Sequence, residues 1–405
     1  MPDQLTGPDA ERGAATEPER ATSADPDLTE PGLRAGPAPV PALHAEPEPA
    51  LDPPPAPTAR ATTLSLAILA TLALFVVILF LPLPYAIASP GPTKDTLGSQ
   101  DGTPLIAIKD TETYPSTGQL RMTTVSFSGG PGYPVTLPLV VQAWFSGTQV
   151  VTPVESVFPP ARSAKEIDQE NKAEMVSSQE NATVAALEEL GYTVPAKLVI
   201  AGTVDGTGAV DVLKADDVVV GLQGKPVATY TDLIDALKAI EPGQKVSISI
   251  ERAGAPLTVE VVTGKREGGG SSVGVYIDPT FTLPVDVTIA IKDIGGPSAG
   301  NMFALGIIDK LTPADEANGV TIAGTGTMDV DGTVGPIGGI RQKLAGAKRD
   351  GATWFLAPAG NCDEVVGHVP AGLHVAKVAT LHESRLAMEA IGAGKGSTLA
   401  TCTAG

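Results

Sequence analysis

The apolar pattern divides the chain unevenly. From Leu64 to Leu81 it reads LSLAILATLALFVVILFL, eighteen residues broken only by Ser65 and Thr71. At about 1.5 Å rise per residue, such a helix spans roughly 27 Å, close to the hydrocarbon core of a bilayer. A soluble core helix keeps a polar face and this run has none, so a membrane anchor is predicted over residues 62–88, with Pro82 and Pro84 ending the helix. A secretory signal is the competing reading because Ala86-Ile87-Ala88 resembles a cleavage site, but a long acidic leader does not suit one. Residues 92–192 carry β-rich runs at Leu120–Phe127 and Val135–Phe145, then a helical pattern over 163–190. We read them as an accessory β segment and helix. Residues 196–265 alternate strand-like Val218–Leu222, Val246–Ile250 and Leu257–Thr263 with a helix at Asp232–Ile240, whose Leu233, Ile234, Leu237 and Ile240 form one stripe. From 273 to 391 helices at Asn301–Leu311, Gly338–Arg349 and Leu381–Ile391 flank a strand at Trp354-Phe355-Leu356, and 392–405 form a tail. The fold class expected is α+β and multidomain.

Composition sharpens the ends. Residues 1–60 hold 14 prolines, 11 acidic and 4 basic residues, and predict a disordered Pro-rich acidic tail. A net charge of −19 without a basic cluster makes nucleic acid an unsuitable partner, because phosphate contacts need Lys and Arg. No G-x-x-x-x-G-K-[ST] motif is present, so no ATP-driven motor is expected. Two cysteines are too few for a thiolate zinc site, and the four histidines lack the i,i+4 spacing of a zinc helix, so neither metal nor cofactor is expected. Asn181-Ala182-Thr183 matches a glycosylation sequon but falls on a predicted helix, and Asp329-Val330-Asp331-Gly332 reads as a hairpin turn rather than a calcium loop.

The candidate chemistry lies in two places. Gly295-Gly296-Pro297-Ser298-Ala299-Gly300 opens a helical run, and its small residues would let a substrate backbone approach the Ser298 hydroxyl near free N–H groups. Taken alone, Ser298 is equally a plain helix cap. In GGIRQKLAGAKR the residues three and four from Lys343 are Gly339, Ile340, Gly346 and Ala347, all small or apolar, whereas Arg341, Lys348 and Arg349 can reach solvent. A desolvated lysine loses affinity for its proton and can act as a base toward a serine hydroxyl; snorkelling past an apolar face is the plainer alternative.

Two resemblances add to this. The run LKADDVVVGLQGKPV resembles a bacterial PDZ domain, with Asp216 where Gly is usual. That implies capture of an extended peptide, with Gly202–Gly208 a candidate carboxylate-binding loop. GGPSAGNMFALGIID, GVTIAGTGTMDVDGTVGPIGGIRQKLAGAKRDGA and FLAPAGNC together resemble the proteolytic domain of the Lon serine peptidases. By that resemblance Ser298 is the nucleophile, Lys343 the general base and Thr325 a supporting residue that orients the lysine amine. Gly295 stands where those enzymes commonly carry Asp, which bears on how the site is gated.

The whole chain is similar to membrane-anchored, PDZ-containing Lon-like proteases. The expectation is an ATP-independent serine endopeptidase acting on peptide or protein substrates at a membrane, with a homo-oligomer by analogy. A catalytically silent PDZ scaffold is the alternative. Few charges flank the anchor, so orientation rests on leaving the acidic tail in the cytoplasm, which places the bulk of the chain outside. There Cys362 and Cys402 could pair, two unrelated thiols being the alternative.

Overall fold

A computed structural model describes residues 58–130, 133–266, 269–292 and 294–403. All but the last few residues of the acidic tail expected over 1–60 lie outside them.

Helix α1, Ala59–Phe80, has a mean hydropathy of 2.7 over its most apolar window, and none of that window is buried. It is long and apolar enough to cross a membrane. Past it the chain runs through strands β1 (Pro82–Leu83), β2 (Tyr85–Pro90), β3 (Lys94–Asp95), β4 (Ile106–Lys109), β5 (Gln119–Met122), β6 (Val125–Ser128) and β7 (Val135–Thr136). Helix α2 (Leu137–Trp144), strand β8 (Val150–Pro153) and the long helix α3 (Ala164–Glu189) follow. The apolar run 135–145, expected as strand, is mostly helix. Pro138 in its first turn loses no hydrogen bond there, and a short apolar run has no period that separates strand from helix. Ser163 caps α3 in a reciprocal box with Glu166.

The central module holds β9 (Ala196–Thr203), β10 (Val218–Leu222), α4 (Tyr230–Lys238), β11 (Lys245–Arg252), β12 (Ala255–Val262) and β13 (Val275–Phe281). They form an antiparallel sheet in the order β12-β11-β10-β9-β13, with α4 presenting Leu233, Ile234 and Leu237 to it. Asp216 sits at φ 69°, the left-handed conformation for which glycine is usual and Asp is tolerated. Next to it buried Asp217 takes a bidentate pair from Arg252, at 2.7 and 2.8 Å.

The rest of the chain contributes β14 (Asp286–Ile289), α5 (Gly300–Leu311), β15 (Thr321–Gly324), β16 (Thr327–Met328), β17 (Val334–Gly335), α6 (Ile340–Arg349), β18 (Trp354–Pro358), β19 (His374–Val378) and α7 (Leu381–Gly392). Its main sheet runs β19-β18-β15-β5-β3, parallel except for β3. Two of those five strands come from residues 92–192, and β14 pairs with β4 from the same stretch. The segment expected as an accessory unit thus shares one sheet with the unit expected at 273–391. The central module stands between the two halves in the sequence. Strands of two to four residues carry no mark of their distant partners, which is why periodicity missed this.

Helix α5 is buried from Gly300 to Asp309, and Met302, Phe303, Leu305, Ile307 and Ile308 fill the core between α3 and the sheet. Cys362 and Cys402 form a disulfide across 40 residues, while Lys377 donates from its backbone to Ala400 O at 2.8 Å. The bridge thereby fixes the tail against β19. Closing such a loop is worth about 4 kcal/mol in the chain-entropy model. We expect Cys402→Ser to lower the unfolding free energy by about 2–4 kcal/mol and reductant to reproduce the loss in wild type. Denaturant titration measures it, and a wild-type protein indifferent to reductant would contradict the bridge.

Candidate active site

Lys343 lies in the first turns of α6 with 2 % of its surface exposed. Two segments from the start of the chain press on this helix. Gly346 approaches Gly91 so closely that a Cβ would stand 3.2 Å from the Gly91 carbonyl, and Arg349 donates to the carbonyl oxygens of Pro90 and Gly91. Thr93 donates through its amide and hydroxyl to Asp350 at 3.1 and 2.9 Å. Gly339, at φ 71°, starts the helix where a Cβ would strike Val125.

The lysine Nζ reaches Ser298 Oγ at 2.6 Å and Thr325 Oγ1 at 2.9 Å. Thr325 is fully buried and its hydroxyl donates to Ser298 O at 2.9 Å. Three residues from three elements thus meet in one hydrogen-bonded group. Burial pulls the Lys343 pKa from 10.5 down to about 7.

Ser298 precedes α5, and the amides of Ser298 and Ala299 donate to no acceptor among the described residues. Its loop is held from the side by α3. Gly296 N donates to Asn171 O at 2.9 Å and Ser178 Oγ to Pro297 O at 2.9 Å. Of the glycines expected to open a path for substrate, Gly295 lines the groove and Gly296 has open space beside it, while Gly295 and Gly300 are also tightly packed. A Cβ at Gly295 would stand 2.7 Å from that of Asn171, and one at Gly300 would meet Met328 and Ser178. An aspartate at 295 would not fit beside α3 in this arrangement.

A groove of about 390 Å³ opens on Ser298 and Lys343, lined also by Met122, Thr123, Val125, Phe127 and Met175. Sequence reasoning missed Asn171, Met175 and Ser178 on α3 and all of β6. The helical period of α3 was visible, but its packing partner was not. None of the three described histidines lines the groove, and His382 instead faces Glu189 at 2.8 Å. No cluster of three or more His, Cys, Asp or Glu suited to a metal occurs among the described residues.

A second cleft, of about 360 Å³, lies between α4 and the strands of the central module, with Tyr230, Leu233, Leu237, Val204, Thr207 and Arg266 on its walls. The expected loop Gly202–Gly208 contributes Val204 and Thr207 to it. Arg266 and Lys238 also pair with Asp331, at 3.3 and 3.4 Å, on the turn that follows Thr325 and β16. Burial raises the affinity of Asp331 for a proton, but hydrogen bonds from Thr333 and the Lys238 charge outweigh it and hold the carboxyl below its usual range.

Comparison with known proteins finds a match over each of the two regions. Residues 279–386 match the Lon protease (S16) C-terminal proteolytic domain, and residues 174–263 match the PDZ domain. Lon protease of Aquifex aeolicus is 31% identical over 137 residues, which is 33% of this chain and 16% of that protein. Lon protease 2 of Herpetosiphon aurantiacus is 31% identical over 168 residues, 40% of this chain and 19% of that protein. Each of these alignments therefore covers less than a fifth of the relative. Among solved structures, the PDZ domain of an SdrC-like protein from Listeria monocytogenes aligns over 20% of this chain and 86% of that one, at 18% identity and a TM-score of 0.19. The chain is thus a multidomain α+β protein that carries a Lon-type proteolytic domain and a PDZ domain.

A lysine with a depressed pKa has a stability signature. The unfolded chain binds the proton up to about pH 10.5 and the folded one only up to about 7, so the folded state gains stability as pH rises between them. We expect Lys343→Met to stabilise the protein by a few kcal/mol below about pH 7, with the gain fading towards about pH 10. Thermal melts across that range test it. A gain independent of pH would mean that the lysine is not desolvated.

Proposed function

We propose that this chain is a membrane-tethered serine endopeptidase that needs no ATP. Ser298 is the nucleophile, Lys343 the general base and Thr325 the residue that holds the amine in line. The supporting observation is the 2.6 Å contact between Ser298 Oγ and a lysine whose pKa burial lowers to about 7, so that a large share of it is neutral near pH 7. A neutral Nζ accepts the hydroxyl proton as Oγ attacks the scissile carbonyl. The oxyanion forms beside the unpaired amides at the start of α5, where the helix dipole adds to their stabilisation. The ammonium then returns its proton to the leaving amine, giving an acyl-enzyme. Water, deprotonated by the same lysine, releases the acid and restores the serine.

Strand β6 supports an extended substrate. Among the described residues it is paired with β2 on one edge only, and Val125, Ser126 and Phe127 line the groove, so a peptide can add along the other edge. The PDZ cleft would recruit or gate that peptide. Its stem α3 grips the Ser298 loop, and its Arg266 and Lys238 hold the turn after Thr325. Tethering is read from α1 and the outward placement of the catalytic part from the disulfide, which an oxidising compartment favours.

Acylation by a fluorophosphonate probe tests the chemistry. Wild type should label at Ser298, and Ser298→Ala and Lys343→Arg should not, because a guanidinium keeps its proton. The labelling rate should rise with pH through a midpoint near 7 before it levels off, as the amine becomes neutral, and ATP should leave it unchanged. No labelling of wild type would leave only a binding scaffold, and a flat profile would remove the lysine as base. The α3 clamp has its own signature. Ser178→Ala should lower kcat several-fold with little change in KM, at a cost of about 1 kcal/mol in stability. An unchanged kcat would show that the clamp is not needed.

A further inference from the structure

We propose that the layer built from residues 82–93, 122–130 and 133–154 lies on the lipid surface, with α2 set into the interface of the leaflet where α1 ends. This rests on the reading of α1 as a membrane anchor. The first observation is charge. In an ordinary domain about a quarter of the residues are charged. Between Met122 and Val154 there is no Asp, Glu, Lys, Arg or His, and between Pro82 and Thr93 there is none either. These two stretches pair with each other, as the sheet β8-β2-β6 and the ladder β1-β7, so the uncharged residues form one continuous layer.

The second observation is what that layer exposes. Helix α2 buries Val140 and Ala143 against Ile87 and Val135. Its other side shows Leu139, Val141 and Trp144, and Phe145 follows, with Trp144 at 64% and Phe145 at 88% exposure. Tyr133 is 75% exposed just before β7. Gln142 is the only polar residue within α2. A helix apolar on both sides, ending in Trp-Phe and flanked by Tyr, matches the headgroup boundary, where aromatic rings with a polar edge collect.

The third observation is position along the chain. One residue, Leu81, separates α1 from β1. Leu83 pairs with Val135 and Pro82 with Thr136, and α2 begins at the next residue. Paired strands lie about 4.8 Å apart. The start of α2 is therefore held within a strand spacing or two of the point where the chain leaves the bilayer. A layer of this kind in water would carry charge. Beside a membrane exit it fits insertion by about 5–10 Å into the headgroup and acyl boundary. Because β6 belongs to both the layer and the catalytic groove, seating the layer also fixes the groove close to the lipid surface.

The chain has two tryptophans, Trp144 on this face and Trp354 packed against the core. The full-length protein is reconstituted into phosphatidylcholine–phosphatidylglycerol vesicles whose acyl chains are brominated near the headgroup, and flotation is followed alongside tryptophan emission. The protein should float, and bromination should remove most of the Trp144 emission. That quenched component should be absent from Trp144→Ala and retained in Trp354→Phe, so the comparison stands even if one variant folds poorly. Flotation without quenching would overturn the lipid-seated layer while leaving the anchor in place. Blue-shifted emission that lipid bromine does not quench would assign the face to a protein partner and also overturn it. Failure to float would remove the anchor, and this inference with it.

Discussion

The structure turns on an ammonium group that has been denied water. Among the described residues Lys343 Nζ meets two hydroxyls and no carboxylate, so deprotonation is what relieves the loss of hydration there. A lysine left free would swing out to solvent. It stays because α6 is pinned against residues 90–93 through Gly346, Arg349 and Asp350, and because Thr325 fills the space beside the amine. Moving any of these would let water or a charge in and restore an ordinary lysine.

The serine is held by a different part of the chain. Asn171 and Ser178 on α3 fix the backbone on either side of Gly296-Pro297, and the close fit leaves no room for side chains at Gly295 or Gly300. Helix α3 leads within a few residues into β9, the first strand of the central module, which returns the chain through β13 to β14. The turn that follows Thr325 meets the same module through Asp331. Both sides of the proposed dyad are thus in mechanical contact with the module that holds the second cleft. Rearrangement of α4 or of the segment around Arg266 has two short routes to the site.

The sequence by itself determined the residues with a forced environment. Leu64–Leu81 has no polar face, so its helix needs no partner to be legible. The small and apolar neighbours of Lys343 marked it as a candidate for desolvation, with snorkelling as the alternative, and the likeness of LKADDVVVGLQGKPV to a PDZ domain put Asp216 where Gly is usual. Local chemistry decides these features, because a period of 3.6 or a single φ requirement is written within a few residues.

Tertiary structure alone decided the rest. Strands β3 and β5 carry no sign that they complete a sheet with β15, β18 and β19 two hundred residues away, since pairing depends on shape and register rather than on composition. Nor could the sequence show that α3 closes on the Ser298 loop, because its outward and inward residues separate only when α5 lies beside it. The apolar run at 135–145 became strand and then helix because β1 took up Val135 and Thr136 and left Leu137 to start a new turn. Each of these outcomes rests on a contact between residues far apart in the chain, and such contacts exist only once the chain has folded.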